Sequence, residues 1–303
     1  MIELKDVTKQ FDDAPVIKGI TLSIREGEIV GLLGPNGAGK TTTLRMIAGV
    51  LPQSSGSVTI DGKTFLESEH ELKSRIGYLP EGNPLYDELT VEEYLLFWAK
   101  IKGIPKDSLH ESLEFIVKNT GLAEVFYRPI GELSKGFRQR AGLSQAILTR
   151  PQILIFDEPT EGLDPNQRHD IAELITALGK KRTVVISSHV LSEIAKICNR
   201  LVIIHRGILV ADDTPENLRR GKGVAQIVEA EIKGEGVVTG LKTIEGVSSA
   251  AKTDEHWYKV EATKGDDVRE KIFKKAVAKK WVILTMTQKV RELEDVFSQL
   301  TSG

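Results

Sequence analysis

The chain has 303 residues, 40% of them hydrophobic, and its 41 Lys and Arg nearly balance 43 Asp and Glu for a formal charge of −2. This is enough apolar sequence for one large domain or two moderate ones, and the charge balance excludes a bulk field that recruits nucleic acid or an anionic membrane. One cysteine, Cys198, excludes a disulfide framework; in the amphipathic stretch 191–198 it reads as a small buried hydrophobe.

The first residues, MIELKDVTKQF, have neither the basic segment nor the apolar core of a signal peptide, and no apolar run is long enough to span a bilayer. The expected location is the cytoplasm. Short apolar runs then alternate with helical patterns: residues 28–33 then 40–49, 152–156 then 166–178, 183–187 then 190–198. Continuous Ile/Val/Leu runs separated by helices predict a parallel sheet covered on both faces, an α/β core. Between them, VEEYLLFWAKIKG and HESLEFIVKNTGL place apolar residues three and four apart, which predicts a helical insertion over about residues 85–150.

After Gly221-Lys222-Gly223 the pattern becomes AQIVEAEIKG (strand), VVTGLKTI (helix), VSSAAKT and HWYKVEATK (strands), GDDVREKIFKKAVAKK (helix) and WVILTMTQ (strand). The order β-α-β-β-α-β predicts a small ferredoxin-like α+β domain over residues 221–303, closed by a helix near 292–300, after a first domain over 1–220. The basic run 271–280 reads as a solvated helix face.

The stretch GLLGPNGAGKTT carries the chemistry. Gly34-Pro35-Asn36-Gly37-Ala38-Gly39-Lys40-Thr41 matches the phosphate-loop spacing, two glycines four residues apart followed by Lys-Thr. Glycine lets successive N–H groups turn inward at the start of a helix, where anionic oxygens bind. Lys40 can then reach the β- and γ-phosphates, and the Thr41 hydroxyl is a hard oxygen for Mg²⁺. ILIFDEPT ends an apolar strand in two carboxylates. Asp157 suits the metal, and Glu158, facing the γ-phosphate, suits a general base on water. A glutamate after the metal aspartate, with no acceptor pocket in view, favours hydrolysis over transfer to a second substrate.

Further stations make the chain resemble the ATP-binding cassette ATPases. LSKGFRQR, from Leu133, resembles the family signature; EGLDP, from Glu161, the dimer-contact loop; VVISSH, ending at His189, the switch histidine; and YLPEGNPLYDELTVEEYL, from Tyr78, the segment joining nucleotide site to helical insertion. The resemblance covers about residues 1–220 and implies a phosphate-loop cassette fold: a parallel core, an antiparallel β subdomain and a helical insertion. It implies ATP and Mg²⁺ as cofactors. Glu158, His189 and Lys40 are then catalytic, and Thr41, Glu81 and Asp157 hold metal. Phe11, Val16, Gly34, Pro35, Asn36, Gly37, Ala38, Gly39, Lys40, Thr41, Thr42, Ser134, Lys135, Gly136 and Asp164 bind nucleotide, with Phe11 where the family stacks adenine.

Only one phosphate loop and one signature occur. The family pairs two cassettes head to tail, so the resemblance implies a second copy or a similar chain. It also implies a separate integral membrane permease contacted around residues 81–94, and a place on the cytoplasmic face of the membrane; no nucleic-acid partner is expected.

Two residues depart from the family pattern. LSKGF replaces the usual LSGGQ, and Glu81 stands where glutamine is commoner. Glu81 adds negative charge beside ATP, so slower or docking-dependent turnover is expected. Both departures, and the ending LEDVFSQLT, resemble the branch that serves ABC-2 type exporters, including gliding-motility-associated and drug-export ATPases. The rival reading is a soluble cassette acting on ribosomes or DNA. Such proteins carry two cassettes in one chain or long heptad coils, and neither is present. An inactive regulatory module is disfavoured by Lys40, Asp157, Glu158 and His189.

Overall fold

A computed structural model describes residues 1–12, 14–220, 227–263, 267–289 and 293–301. The chain divides into two compact units, one of Met1–Asp213 with Leu300–Gly303, the other of Thr214–Gln299.

The first unit begins with strands β1 (Ile2–Phe11), β2 (Ala14–Ile24) and β3 (Ile29–Leu33), then helix α1 (Lys40–Ile47). Strands β4 (Ser55–Ile60) and β5 (Lys63–Thr64), helix α2 (Phe65–Ser74) and strand β6 (Ile76–Leu79) follow. Three helices come next, α3 (Val91–Ile101), α4 (Lys106–Thr120) and α5 (Lys135–Ile147), inside the expected helical insertion. The unit then alternates β7 (Ile153–Asp157), α6 (Pro165–Gly179), β8 (Thr183–Ser188), α7 (Leu191–Ile197), β9 (Arg200–His205) and β10 (Ile208–Asp213).

These strands make two sheets. One is antiparallel, in the order β2-β1-β4-β5; the other has the order β10-β9-β3-β8-β7-β6 and is parallel except for β10 on β9. Every residue of β3, β7 and β8 is buried, as the unbroken apolar runs require of strands covered on both faces. The antiparallel sheet alternates buried and exposed residues along β1 and β2 instead, and its inward residues Ile2, Leu4, Ile17 and Ile20 share one core with Leu32, Leu44, Ile47 and Val202.

Local signals start the helices. Thr90 caps α3 by accepting from the Glu93 N–H at 3.2 Å, and the Glu93 carboxylate accepts the Thr90 N–H at 2.8 Å, a reciprocal pairing that satisfies donors a helix end otherwise orphans. Helix α5 packs on β6 at Gly77, where an added Cβ would overlap the carbonyl oxygen of Ala146.

The second unit contains α8 (Pro215–Arg220), β11 (Ile227–Lys233), α9 (Val237–Lys242), β12 (Val247–Lys252), β13 (Trp257–Ala262), α10 (Arg269–Lys279), β14 (Val282–Lys289) and, as far as Gln299, α11 (Leu293–Thr301). Its sheet has the order β12-β13-β11-β14, antiparallel throughout; this is the ferredoxin-like arrangement expected from the element order. Val228, Ala230, Ile232, Val260 and Ala262 form a core with Leu241, Ile272 and Trp281, while Lys271, Lys274 and Lys279 of the basic run are exposed. The expected boundary at Gly221-Lys222-Gly223, the strand start at Ala225, the helix start at Gly265 and Glu292 lie outside the described residues.

The close approach of α5 to β6 leaves no room for a methyl group. Gly77→Ala is expected to lower the unfolding free energy by about 2 kcal/mol, measured by urea denaturation at equilibrium.

Candidate functional site

The parallel register carries three loops to one edge of the sheet. Leu33 at the end of β3 lies opposite Ser188 of β8, and Asp157 at the end of β7 lies opposite Ser187. Gly34, Asp157 and His189 therefore leave neighbouring strands at their carboxyl ends, where open α/β sheets place their ligands.

After β3 the chain turns through Gly34 to Gly39. A Cβ at Gly34 would collide with the backbone of Ile204, and Gly39 has φ +108°, a conformation side chains resist. Pro35, Asn36 and Gly37 form the outer part of the turn, while Ala38, Gly39 and Lys40 are buried. Of the turn's N–H groups, that of Ala38 bonds the Pro35 carbonyl at 3.1 Å; those of Asn36, Gly37, Gly39, Lys40, Thr41 and Thr42 find no acceptor among the described residues. This is a row of free donors at a helix start, a nest for anionic oxygens.

Lys40 extends back across the turn. Its ammonium donates to the Gly34 carbonyl at 2.9 Å and lies 3.6 Å from Glu158 Oε1. Glu158 is buried, in the left-handed region at φ 49°, and its N–H donates to Ser187 Oγ at 2.9 Å. A non-glycine residue there costs about 1–3 kcal/mol, a strain that points its carboxylate across the sheet edge. The other oxygen, Oε2, lies 2.9 Å from His189 Nδ1. Glu158 thus bridges Lys40 and His189.

Asp157 is wholly buried. Its Oδ1 accepts the Ser187 hydroxyl at 2.6 Å and the Thr41 hydroxyl at 3.2 Å, whereas its Oδ2 has no partner. The Thr41 hydroxyl is also 3.3 Å from Glu81 Oε2. Burial holds the Asp157 carboxyl above its usual range, reinforced by like charge from Glu81 and Glu158 and opposed by the two hydroxyl donors. A buried carboxylate oxygen without a donor, next to a hydroxyl and a second carboxylate, is a donor set of hard oxygens that fits a small divalent cation.

The remaining expected nucleotide residues fall into two groups. Phe11 and Val16 stand at the end of the β1–β2 ribbon; Phe11 is 45% exposed with the Lys9 ammonium 5.2 Å from its ring centroid, so it is not a core residue. Ser134, Lys135 and Gly136 begin α5, with Ser134 accepting the Phe137 N–H at 3.4 Å. Lys135 lies over Gly162 and Gly136 against Gln167, and Asp164 caps α6 by accepting from Asn166 and Gln167 N–H at 3.0 Å each. None of the polar contacts made by Lys40, Thr41, Asp157, Glu158 or His189 reaches this second group. The two groups are not joined by these polar contacts.

Sequence reasoning missed Ser187, and it placed Asn83 only in the expected permease-contact stretch, without its tie to α5. Ser187 supports both acidic residues at once, and its only signal was polarity at the end of an apolar strand. The Asn83 amide donates to the Arg138 carbonyl at 2.8 Å and sits over Gly142, tying the segment beyond Glu81 to the middle of α5. Its signal was a glycine inside an otherwise helical stretch.

The family described as ABC transporter matches residues 17–161. Over 305 residues, 99% of this chain and 98% of the relative, the sequence is 30% identical to the Linearmycin resistance ATP-binding protein LnrL of Bacillus subtilis. The chain belongs to the ABC transporter family. The Bacitracin transport ATP-binding protein BcrA of Bacillus licheniformis is 39% identical over 223 residues, 73% of this chain and 72% of that protein. Among solved structures, the dimeric bacterial ABC transporter cassette MJ0796 superposes with a TM-score of 0.64 at 27% identity, covering 71% of this chain and 98% of that one. The same cassette in a post-hydrolysis state bound to ADP and Pi superposes with a TM-score of 0.64 at 26% identity. This chain is an ATP-binding, ATP-hydrolysing subunit of an ABC transporter, in the branch of these resistance and transport proteins. No helix among the described residues is long and apolar enough to cross a membrane.

The unpartnered Asp157 oxygen gives the ABC ATPase a measurable liability. An acid whose folded pKa is raised favours folding at low pH, and that contribution is lost as pH rises through the folded value. Asp157→Asn is expected to raise the melting temperature of the nucleotide-free protein at neutral pH, to lose that advantage below the usual carboxylate range, and to abolish ATP turnover. Paired thermal melts and a phosphate-release assay check both outcomes.

Proposed function

We propose that two copies close head to tail on two Mg·ATP, each nucleotide held between the phosphate loop of one copy and the signature of the other, and that closure drives a separate membrane permease. The observation that carries this reading is the division of the site: Lys40, Thr41, Asp157, Glu158 and His189 form one connected group, and no polar contact they make reaches Ser134, Lys135, Gly136 or Asp164. The dimeric state of the similar cassette supports it.

In this reading the free N–H groups of the turn and the Lys40 ammonium bind the β- and γ-phosphates. Thr41, Asp157 and Glu81 would hold Mg²⁺, which would neutralise charge on the phosphate oxygens. Glu158, oriented by Ser187 and flanked by Lys40 and His189, accepts the proton of the attacking water. His189 holds the γ-phosphate side of the site, and Phe11 and Val16 receive the base. From the partner copy, the start of α5 at Ser134 and Gly136 presents helix N–H groups to the γ-phosphate, and Lys135 adds a cation. Work is available because ATP binds the closed pair more tightly than the open one; a ligand with equal affinity for both would shift nothing.

The permease contact is assigned to the segment from Glu81 to Tyr94, which Asn83 links mechanically to α5. That linkage gives the membrane partner a route to the signature. The names of the relatives, Linearmycin resistance and Bacitracin transport, support an exporter acting at the cytoplasmic face of the membrane.

Glu158→Gln is expected to lower ATP turnover by about 10²–10⁴-fold, the range of a lost general base, while leaving ATP binding intact. Sedimentation of this variant with Mg·ATP is expected to show a stable dimer; a strict monomer, alone and with its permease, contradicts the proposal.

A further inference from the structure

Ser187 is wholly buried, and its hydroxyl donates and accepts at once. Its proton goes to Asp157 Oδ1 at 2.6 Å, and its oxygen accepts the Glu158 N–H at 2.9 Å. The first separation falls in the range of a bond to an ionised carboxylate. The other donor on Oδ1, the Thr41 hydroxyl, is farther at 3.2 Å and lies within 3.3 Å of Glu81 as well. Ser187 is thus the nearer donor to Asp157 and, among the described residues, the acceptor for the Glu158 amide.

The three groups form a chain with one direction. Negative charge on Asp157 draws the hydroxyl proton, which leaves Ser187 Oγ a stronger acceptor, because hydrogen bonds in series polarise one another. The stronger bond falls on a strained residue. Glu158 sits at φ 49°, which a non-glycine residue keeps only where its surroundings impose it. Its carbonyl accepts the Glu161 N–H at 3.1 Å, and its Oε2 lies 2.9 Å from His189 Nδ1. Those contacts hold the residue beyond its Cα and at the tip of its side chain, whereas the Ser187 bond holds the amide about whose N–Cα bond the strain lies. Strand register makes this possible: Ser187 of β8 lies opposite Asp157 of β7, and His189 follows at the end of the same strand.

We propose that Ser187 is a positioning residue for ATP hydrolysis, which transmits the charge of Asp157 to the backbone of Glu158 and so keeps the base in its strained conformation. The kinetic effect of Ser187 rests on the reading of Glu158 as the base; its effect on the Glu158 amide does not.

A pair of measurements tests it. Ser187→Ala is expected to lower kcat about tenfold or more, since a buried donor beside the base is left unpaired, with KM for ATP changed less than about twofold. In a Glu158→Gln background the same substitution is expected to cost less than about twofold, because the group it positions is gone. An equal loss in both backgrounds overturns the proposal, whereas a Glu158→Gln variant with full turnover overturns the base reading and with it the kinetic part of this one. The other measurement needs no nucleotide, no Mg²⁺ and no Ser187 variant that folds. Asp157→Asn removes the charge at the head of the chain, and amide hydrogen exchange of the nucleotide-free protein is followed by NMR. The Glu158 amide is expected to exchange at least about threefold faster than in the parent, while that of Phe156, within the β7 ladder, is not accelerated. Glu158 exchange that is unchanged or slower overturns the proposal.

Discussion

The site depends on a carboxylate buried without enough donors. Asp157 is wholly enclosed at the end of β7, with hydroxyls from Ser187 and Thr41 on one oxygen and nothing on the other. Burying such a charge is costly, and the fully buried strands β3, β7 and β8 fix the sheet edge from which it projects. The unpartnered oxygen fits a cation, and the free N–H groups of the turn fit anionic oxygens. Glu158, strained into the left-handed region and placed between Lys40 and His189, lies beside the same deficit. The buried Asp157, the free N–H groups of the turn and Glu158 thus form one electrostatic arrangement.

Much of this was legible in the sequence because backbone demands are local. The turn at Gly34 and Gly39 needs residues without side chains, and its register with Lys40 and Thr41 is fixed by adjacency along the chain. The ferredoxin-like unit was legible for a similar reason: Val228, Ala230 and Ile232 alternate with polar residues on a half-buried strand, and Ile272 with Ala276 marks one face of a helix. The element order alone pointed to the ferredoxin-like type; the strand order itself is read from the structure.

Contacts across long sequence separation were not legible. Ser187 bonds Asp157 from thirty residues away, and nothing in VVISSH separates a bridging serine from an ordinary one. The left-handed backbone of Glu158 has no residue signature, since glutamate rarely adopts it. Asn83 meets α5 through Gly142 fifty-nine positions on, visible only once the helix is packed. The exposed ring of Phe11 is likewise a tertiary result, set by where the β1–β2 ribbon ends.

The central claim is that each ATP site is built from two chains. Mixing two separately inactive variants, Lys40→Ala and Ser134→Arg, and measuring ATP hydrolysis against each alone tests it most directly. Composite sites predict recovered activity on mixing, because a mixed pair contains one site with an intact phosphate loop from one copy and an intact signature from the other. Activity that stays at the level of the separate variants, in mixtures shown to contain mixed pairs, contradicts the account.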